Sequence, residues 1–451
     1  MSSTKQNWQL GWKPGAMAIG SIAFLVLGGG CESATTNMTQ EVKKAQEVRS
    51  FADWCENRST LTPATQHTVE VLLEKAETQD CQLAEERLTN LTELNLEVEQ
   101  ISNISPLSSL TNLTYLNLMG NEIADITPLS SLTNLTSLDF FGNSSLVDIT
   151  PLSPLKNLTY LNLSGARVSD ITPLSSLTNL TRLDLSYNPI VDVTPLSSLT
   201  SLNSLILVDI RVEDITFISS LINLEELTFL GAFGYEIKDI TSLSSLTNLK
   251  RLDLTGHQIE SITPLSSLKN LSWLDLTDNQ IKDITPLSSL TNLTRLNLSR
   301  NLITDITSLS SLNNLDRILL NNNQIKDITP LSSLPDLTRL DLSSNQIKDI
   351  TPLSSLTNLT RLSLSGNQVK DITLLSSLGN LNSLLLNYNQ IENIISLSSL
   401  SNLTLLDLRA NQIKNIMPLA SLNNLTELNL QNNPRLVDRT CPVEPASVCQ
   451  F

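Results

Sequence analysis

Two histidines, His67 and His257, and five cysteines, Cys31, Cys55, Cys81, Cys441 and Cys449, are the whole stock of imidazole and thiol in 451 residues. General acid–base catalysis and zinc coordination need such groups in clusters, and here they are scattered along the chain. No Gly-rich phosphate loop, Cys-x-x-Cys pair or nucleophile elbow accompanies them. These residues predict a chain that is not an enzyme, with no cofactor and no metal site. His67 reads as an ordinary helix residue and His257 as a substitute for a turn asparagine.

The side chains that recur suit recognition. Arg182, Arg251, Trp273, Arg295, Arg317, Arg339 and Arg361 occupy one equivalent position in a repeating pattern, and Asp184, Asp253, Asp275, Asn297, Leu319, Asp341 and Ser363 stand two residues after each. Arg and Trp are the residue types that dominate interface hot spots. Trp273, Arg295, Arg317, Arg339 and Arg361 are therefore the first candidate contact, for a protein with an acidic or mixed surface. The competing reading is neutralisation of each Arg by an Asp beside it or on the next strand, in exposed pairs worth ~0–1 kcal/mol each. Tyr115, Phe141, Tyr160 and Tyr187, followed by Ile206, Val208 and Leu230, read as a second, apolar row of outward residues.

What must position these residues is a repeat. From Leu88 the chain recurs with a period of 22, in fifteen full copies and one partial copy that begins at Leu422. In the unit Leu110–Ser131, LTNLTYLNLMGNEIADITPLSS, Leu116 and Leu118 share one face of a short strand, and Tyr115, Asn117 and Met119 take the other. Asn121 stands where the chain turns and can satisfy backbone groups of its own and the neighbouring coil. Thr127-Pro128 reads as a helix start, with Thr as the N-cap, for a 3₁₀ turn. The Lys-Asp of QIKDIT, as in Lys282-Asp283, reads as a charge pair on the outer loops. One coil with about seven buried aliphatic side chains cannot offset the backbone entropy of ordering it, at ~1–2 kcal/mol per residue. Stacked coils share their apolar faces and pair their strands into one parallel sheet.

The LxxLxxLxLxxNxIxDIxPLxxL pattern resembles the leucine-rich repeats, and DITPLSSLTNL at this spacing is similar to the bacterial internalin-type class. About three quarters of the chain is covered. The resemblance implies an α/β solenoid, a curved horseshoe with one parallel sheet on its concave face and 3₁₀ turns or loops on its convex face. It also implies a role in binding protein partners. The unit at Leu221 breaks the period with 25 residues, and Ile210 and His257 replace the turn asparagine on either side. Phe233 and Tyr235 of that unit either extend a binding patch or fold back over Ile206, Val208 and Leu230.

The ends carry other information. Lys5, Lys13 and the apolar run Ala16 to Leu27 read as a signal peptide over residues 1–31, and Gly28-Gly29-Gly30-Cys31 resembles a bacterial lipobox with Cys31 as the lipidated residue. Residues 32–50 form a polar tether, 51–87 an N-terminal helical cap around an amphipathic helix over Ala64 to Gln79, 88–433 the repeats and 434–451 a C-terminal cap. Local pairing of Cys55 with Cys81 and of Cys441 with Cys449 fits an exported protein. Lys plus Arg number 29 against 45 Asp plus Glu, a net charge of -16, which disfavours nucleic acid and anionic lipid surfaces. The expectation is a noncatalytic, monomeric protein-binding scaffold, exported and lipid-anchored at the cell envelope or secreted, touching membrane only through that lipid. The alternative is an intracellular regulatory repeat protein that holds an enzyme such as a phosphatase.

Overall fold

The computed structural model describes residues 49–231 and 234–451. The expected signal peptide, Cys31, Phe233 and all of the tether except Arg49 and Ser50 lie outside the described residues. Seventeen parallel strands follow one another in chain order in a single open sheet, from β1 (Glu93–Asn95) to β17 (Cys449–Gln450). The period keeps equivalent residues in register, so Leu116 pairs with Leu138 and Leu296 with Ile318. Most strands span three residues; β6 (Ser204–Val208) and β7 (Glu226–Leu230), beside the irregular unit, span five.

Between strands the chain crosses the outer side in short 3₁₀ turns such as Thr127–Ser131. Each coil sends its aliphatic residues inward. Leu110, Leu113, Leu116, Leu118, Ile123, Ile126 and Leu129 are all buried, and the same positions are buried in the neighbouring coils to form one continuous core. The turn asparagine closes the coil. Asn121 donates through Nδ2 to Leu96 O at 2.7 Å and Leu118 O at 2.9 Å, and its Oδ1 accepts from Ile101 N at 2.8 Å. One side chain thus satisfies backbone groups of two adjacent coils.

Thr127 is not the N-cap. That place falls to Ile126, with no side-chain cap bond, and the Thr127 N–H donates to Asp125 Oδ1 at 2.9 Å. The same contact recurs, as in Thr285 N to Asp283 Oδ1 at 2.8 Å and Thr329 N to Asp327 Oδ1 at 2.8 Å. The Asp of QIKDIT is therefore a local cap rather than half of an ion pair. Among the described residues no bridge joins Lys282 to Asp283, Lys326 to Asp327 or Lys348 to Asp349. A carboxylate two residues before an N–H closes a small ring at low entropic cost, whereas a solvated lysine must be immobilised to pair.

Among the described residues the first coil is preceded by three α-helices, α1 (Phe51–Glu56), α2 (Pro63–Lys75) and α3 (Cys81–Thr89). Helix α2 ends short of the expected Gln79, because Glu77 adopts a left-handed φ of 53°. Its Val69, Leu72 and Leu73 are buried, and so is Ala76 just beyond it. Helix α3 has no counterpart in the sequence reading, which assigned Leu88 and Thr89 to the first repeat. Cys55 and Cys81 join α1 to α3. At the other end Cys441 is bonded to Cys449, and β17 adds to β16 (Glu427–Asn429), with Leu430 N donating to Gln450 O at 2.7 Å.

Candidate partner-binding surface

The strand residues that point away from the core line the open face of the sheet. The register sets Arg251, Trp273, Arg295, Arg317, Arg339 and Arg361 side by side on the consecutive strands β8 (Arg251–Asp253), β9 (Trp273–Asp275), β10 (Arg295–Asn297), β11 (Arg317–Leu319), β12 (Arg339–Asp341) and β13 (Arg361–Ser363). Arg182 on β5 (Arg182–Asp184) stands apart, separated from Arg251 by Ser204 and Glu226. The Arg251 guanidinium lies 3.9 Å from the centre of the Trp273 ring, a cation–π contact that fixes the aromatic at one end of the column.

For the competing reading of neutralisation, the described residues show no short ion pair between these arginines and the next column, although the Asp341 charge acts on Arg339 and the Arg251 charge on Asp253. Among the described residues none of Arg295, Arg317, Arg339 and Arg361 has a carboxylate within salt-bridge distance. The acids are committed elsewhere. Asp253 Oδ1 accepts from Thr255 N at 3.1 Å, Asp275 Oδ1 from Thr277 N at 2.9 Å and Asp341 Oδ1 from Ser343 N at 2.9 Å. Asp275 also accepts from Asn297 Nδ2 at 2.9 Å and from Thr255 Oγ at 3.2 Å. Each caps the end of its own strand, as the Asp of the outer turns caps the 3₁₀ helix. The Asp-x-Ser/Thr spacing carries this signal in the sequence, where an Asx turn competes with any ion pair.

Electrostatics follow from that division. Burial, then the charges of Arg317 and Arg361 on either side, hold the Arg339 guanidinium below its ordinary range. Burial against the Asp275 charge pushes the Asp253 carboxyl up, although its bonds to Thr255 oppose the shift. Among the described residues the open face thus carries a stripe of arginines with no short ion pair, beside a stripe of hydrogen-bonded polar and acidic groups, on a protein of net charge -16.

The aromatic candidates do not form one row. Tyr115 and Tyr160 share the arginine column, with Ser137 between them. Tyr115 is exposed; Tyr160 is half-buried, and its hydroxyl donates to Asp139 Oδ2 at 3.1 Å. Burial first, then the Asp139 charge, pushes the Tyr160 hydroxyl up to about 12. Phe141 lies beyond the strand Ser137–Asp139, and Tyr187 sits in the following turn with a left-handed φ of 57°. Within their units these residues are offset by several positions, so the coil carries them to different sides. Ile206, Val208 and Leu230 are half-buried on β6 and β7. Tyr235 lines a shallow hollow at the turn edge with Tyr187, Pro189, Asp209 and Arg211.

Both histidines have structural partners. The His67 ring meets Glu99 O through Nε2 at 2.7 Å. Buried His257 repeats the bonding of the turn asparagine: Nδ1 accepts from Ile237 N at 3.3 Å and Nε2 donates to Phe229 O at 2.8 Å. Burial lowers its pKa from the ordinary 6.5. The unfolded chain then binds the proton more readily, so stability is full above about pH 6.5 and declines as pH falls through that value. His257→Asn restores the rule of the repeat and is expected to remove this decline, measured as the difference in melting temperature between about pH 7 and pH 5.

An open parallel sheet of in-register coils, with buried asparagines at the turns, defines a leucine-rich repeat solenoid. The model for leucine-rich repeats in two copies matches residues 89–131, 111–154, 156–198, 269–311 and 313–355, and the single-repeat model matches 355–372. The internalin InlF of Listeria monocytogenes is 35% identical, with 77% of this chain and 97% of that one covered and a TM-score of 0.62. A leucine-rich repeat protein of Leptospira interrogans is 25% identical over 81% of this chain and 96% of that one, with a TM-score of 0.72. The functional domain of L. monocytogenes InlJ, which includes a cysteine ladder, shares the fold at 24% identity, 85% and 81% coverage and a TM-score of 0.69. No curated relative matches. The chain belongs to the internalin-like leucine-rich repeat proteins.

Proposed function

We propose that this protein is a noncatalytic scaffold that captures a protein partner on the open face of its sheet. The observation that carries the proposal is the uninterrupted column from Trp273 to Arg361, whose four arginines have no carboxylate within salt-bridge distance. Like charges on adjacent strands oppose folding unless another role retains them. Trp273 supplies the large rigid anchor such interfaces use. Tyr115, Phe141, Tyr160 and Tyr187 are secondary contact candidates, and their separate placements suit different parts of a large partner.

We place the protein outside the cytoplasm, anchored through lipid on Cys31 or secreted, and monomeric. The two disulfides support an oxidising compartment. Among the described residues no helix is long and apolar enough to cross a membrane. Free thiols at Cys55, Cys81, Cys441 and Cys449 in the native protein would support the intracellular regulator instead.

The test is capture from native extract with the full chain as bait. Trp273→Ala combined with Arg295→Ala and Arg317→Ala is expected to lower capture of the partner at least ~10-fold, with the melting temperature moved by less than about 2 °C because these side chains lie outside the core. Undiminished capture by a folded triple variant removes this surface from consideration.

A further inference from the structure

We infer that the column is a seat for an extended acidic segment of a partner polypeptide, about nine residues long, running along the solenoid axis across the strands. This rests on the open-face reading above and adds the chemistry and shape of the ligand. Arg295, Arg317, Arg339 and Arg361 pair in register on four consecutive strands. At the ~4.8 Å spacing of neighbouring strands their backbones span about 14 Å. Every second residue of an extended chain faces the same way, ~6.7 Å apart, so that span matches about three carboxylates. Each such carboxylate lies within reach of two guanidiniums, whose planar forks favour bidentate contacts.

The ends of the column set the length. Trp273 closes one end, and beyond Arg361 the same column continues through Ser383 to Leu405 on the strand Leu405–Asp407, with Leu385 diagonally beside it. Both leucines are half-buried. From Trp273 to Leu405 is six strand steps, about 29 Å, or about nine extended residues at ~3.3 Å each. An acidic centre with an apolar side chain toward each end fits this order of groups.

The same features select polypeptide over other polyanions. Single-stranded nucleic acid is typically held by a basic groove together with several aromatic platforms for its bases. Here the column from Arg251 to Arg361 offers one aromatic, and its ring is already stacked by Arg251. Half-buried Leu319, Leu385 and Leu405 offer a polysaccharide no hydrogen bonds, whereas apolar side chains of a peptide pack on them. The segment lies across the sheet rather than adding to its edge, because the strands beneath are already hydrogen-bonded on both sides. Recognition is therefore by side chains, and in the adjacent column Asp275 and Asp341 are bonded to Thr277 and Ser343 at the ends of their own strands.

The experiment titrates the full chain with a fluorescent nine-residue peptide of alternating Asp and Glu flanked by leucines. Controls are the same peptide with Lys for every acid, heparin and polyuridylate. The acidic peptide is expected to bind, and to weaken at least ~10-fold between about 50 and 500 mM salt. Arg317→Glu with Arg339→Glu should weaken it at least ~30-fold, and Arg317→Gln with Arg339→Gln by a smaller factor, with unchanged melting temperatures. Equal binding of the acidic and basic peptides, or acidic-peptide binding indifferent to both double variants, overturns the inference. Heparin or polyuridylate binding that depends on these arginines while the acidic peptide fails to compete overturns it in favour of another polyanion. Partner capture that needs Trp273 and Arg317 but is not displaced by the acidic peptide overturns the linear acidic ligand and leaves the open-face scaffold standing. Loss of both would sink the two together.

Discussion

Asn301→Leu is expected to destabilise the middle of the array by about 1–3 kcal/mol, more than the loss of one surface amide. Asn301 is 5% exposed, and its Nδ2 donates to Leu276 O at 2.9 Å, Leu298 O at 3.1 Å and Ser299 O at 3.2 Å. Its Oδ1 accepts from Ile281 N at 3.0 Å. Leucine is close in volume but can replace none of these bonds. Leu276 O keeps its bond from Asn279 Nδ2 and Leu298 O its bond from Asn323 Nδ2, so the group left without a partner is the buried N–H of Ile281, at ~1–3 kcal/mol. Because a repeat contacts chiefly its neighbours, the damage should be local. Hydrogen exchange is expected to show lost protection in the coils on either side of residue 301, with protection retained near Leu116. An unchanged melting temperature, or uniform loss of protection along the chain, would contradict the role assigned to the turn asparagine.

Acid should unfold this protein through its outer turns. In Asp170, Asp192, Asp283, Asp327, Asp349 and Asp371 the bond from the hydroxyl of the Thr two residues on, then the bond from that residue's N–H, lowers the carboxyl below its ordinary 3.8. Each contribution is present above the unfolded value of about 3.8 and is lost as pH falls through the lower folded value. These carboxylates titrate in the same window, so the loss should be steep, with net proton uptake on unfolding below about pH 4. Replacing the six with Asn is expected to flatten the acid limb of a melting-temperature profile without lowering stability at neutral pH. The protein already contains the control: Asn393 Oδ1 accepts from Ile395 N at 3.0 Å and Asn415 Oδ1 from Met417 N at 2.9 Å, so the uncharged amide makes the same cap. An acid limb equally steep in the variant would place the effect elsewhere.

Both predictions concern residues whose roles differ in legibility. Asn121 and its equivalents could be assigned from the sequence, because a buried turn in a stacked coil leaves backbone groups that only such a side chain can reach. His257 could be assigned as its substitute for the same reason, and its two ring bonds bear this out. The outer and strand Asp residues are ambiguous in the sequence, since charge pairing with Lys or Arg and Asx turns begin from the same adjacent residues. Helix α3 was hidden because Leu88 fits both a repeat start and an apolar helix position.

The period of 22 and its aliphatic positions by themselves determined the class of fold, the one parallel sheet, the identity of the core and the columns in which outward residues fall. Every coil faces the same burial problem and solves it in the same way, so register needs no long-range information. Only the tertiary structure decided which charges are spent. A carboxylate has several acceptor positions and a choice of donors, and that choice depends on distances fixed when coils stack. Local N–H and hydroxyl donors take the aspartates, and among the described residues Arg295, Arg317, Arg339 and Arg361 form no short ion pair. Phe141 and Tyr187 fall beyond their strands and away from Tyr115 and Tyr160, because a shift of a few residues within a coil moves a side chain from the sheet to a turn.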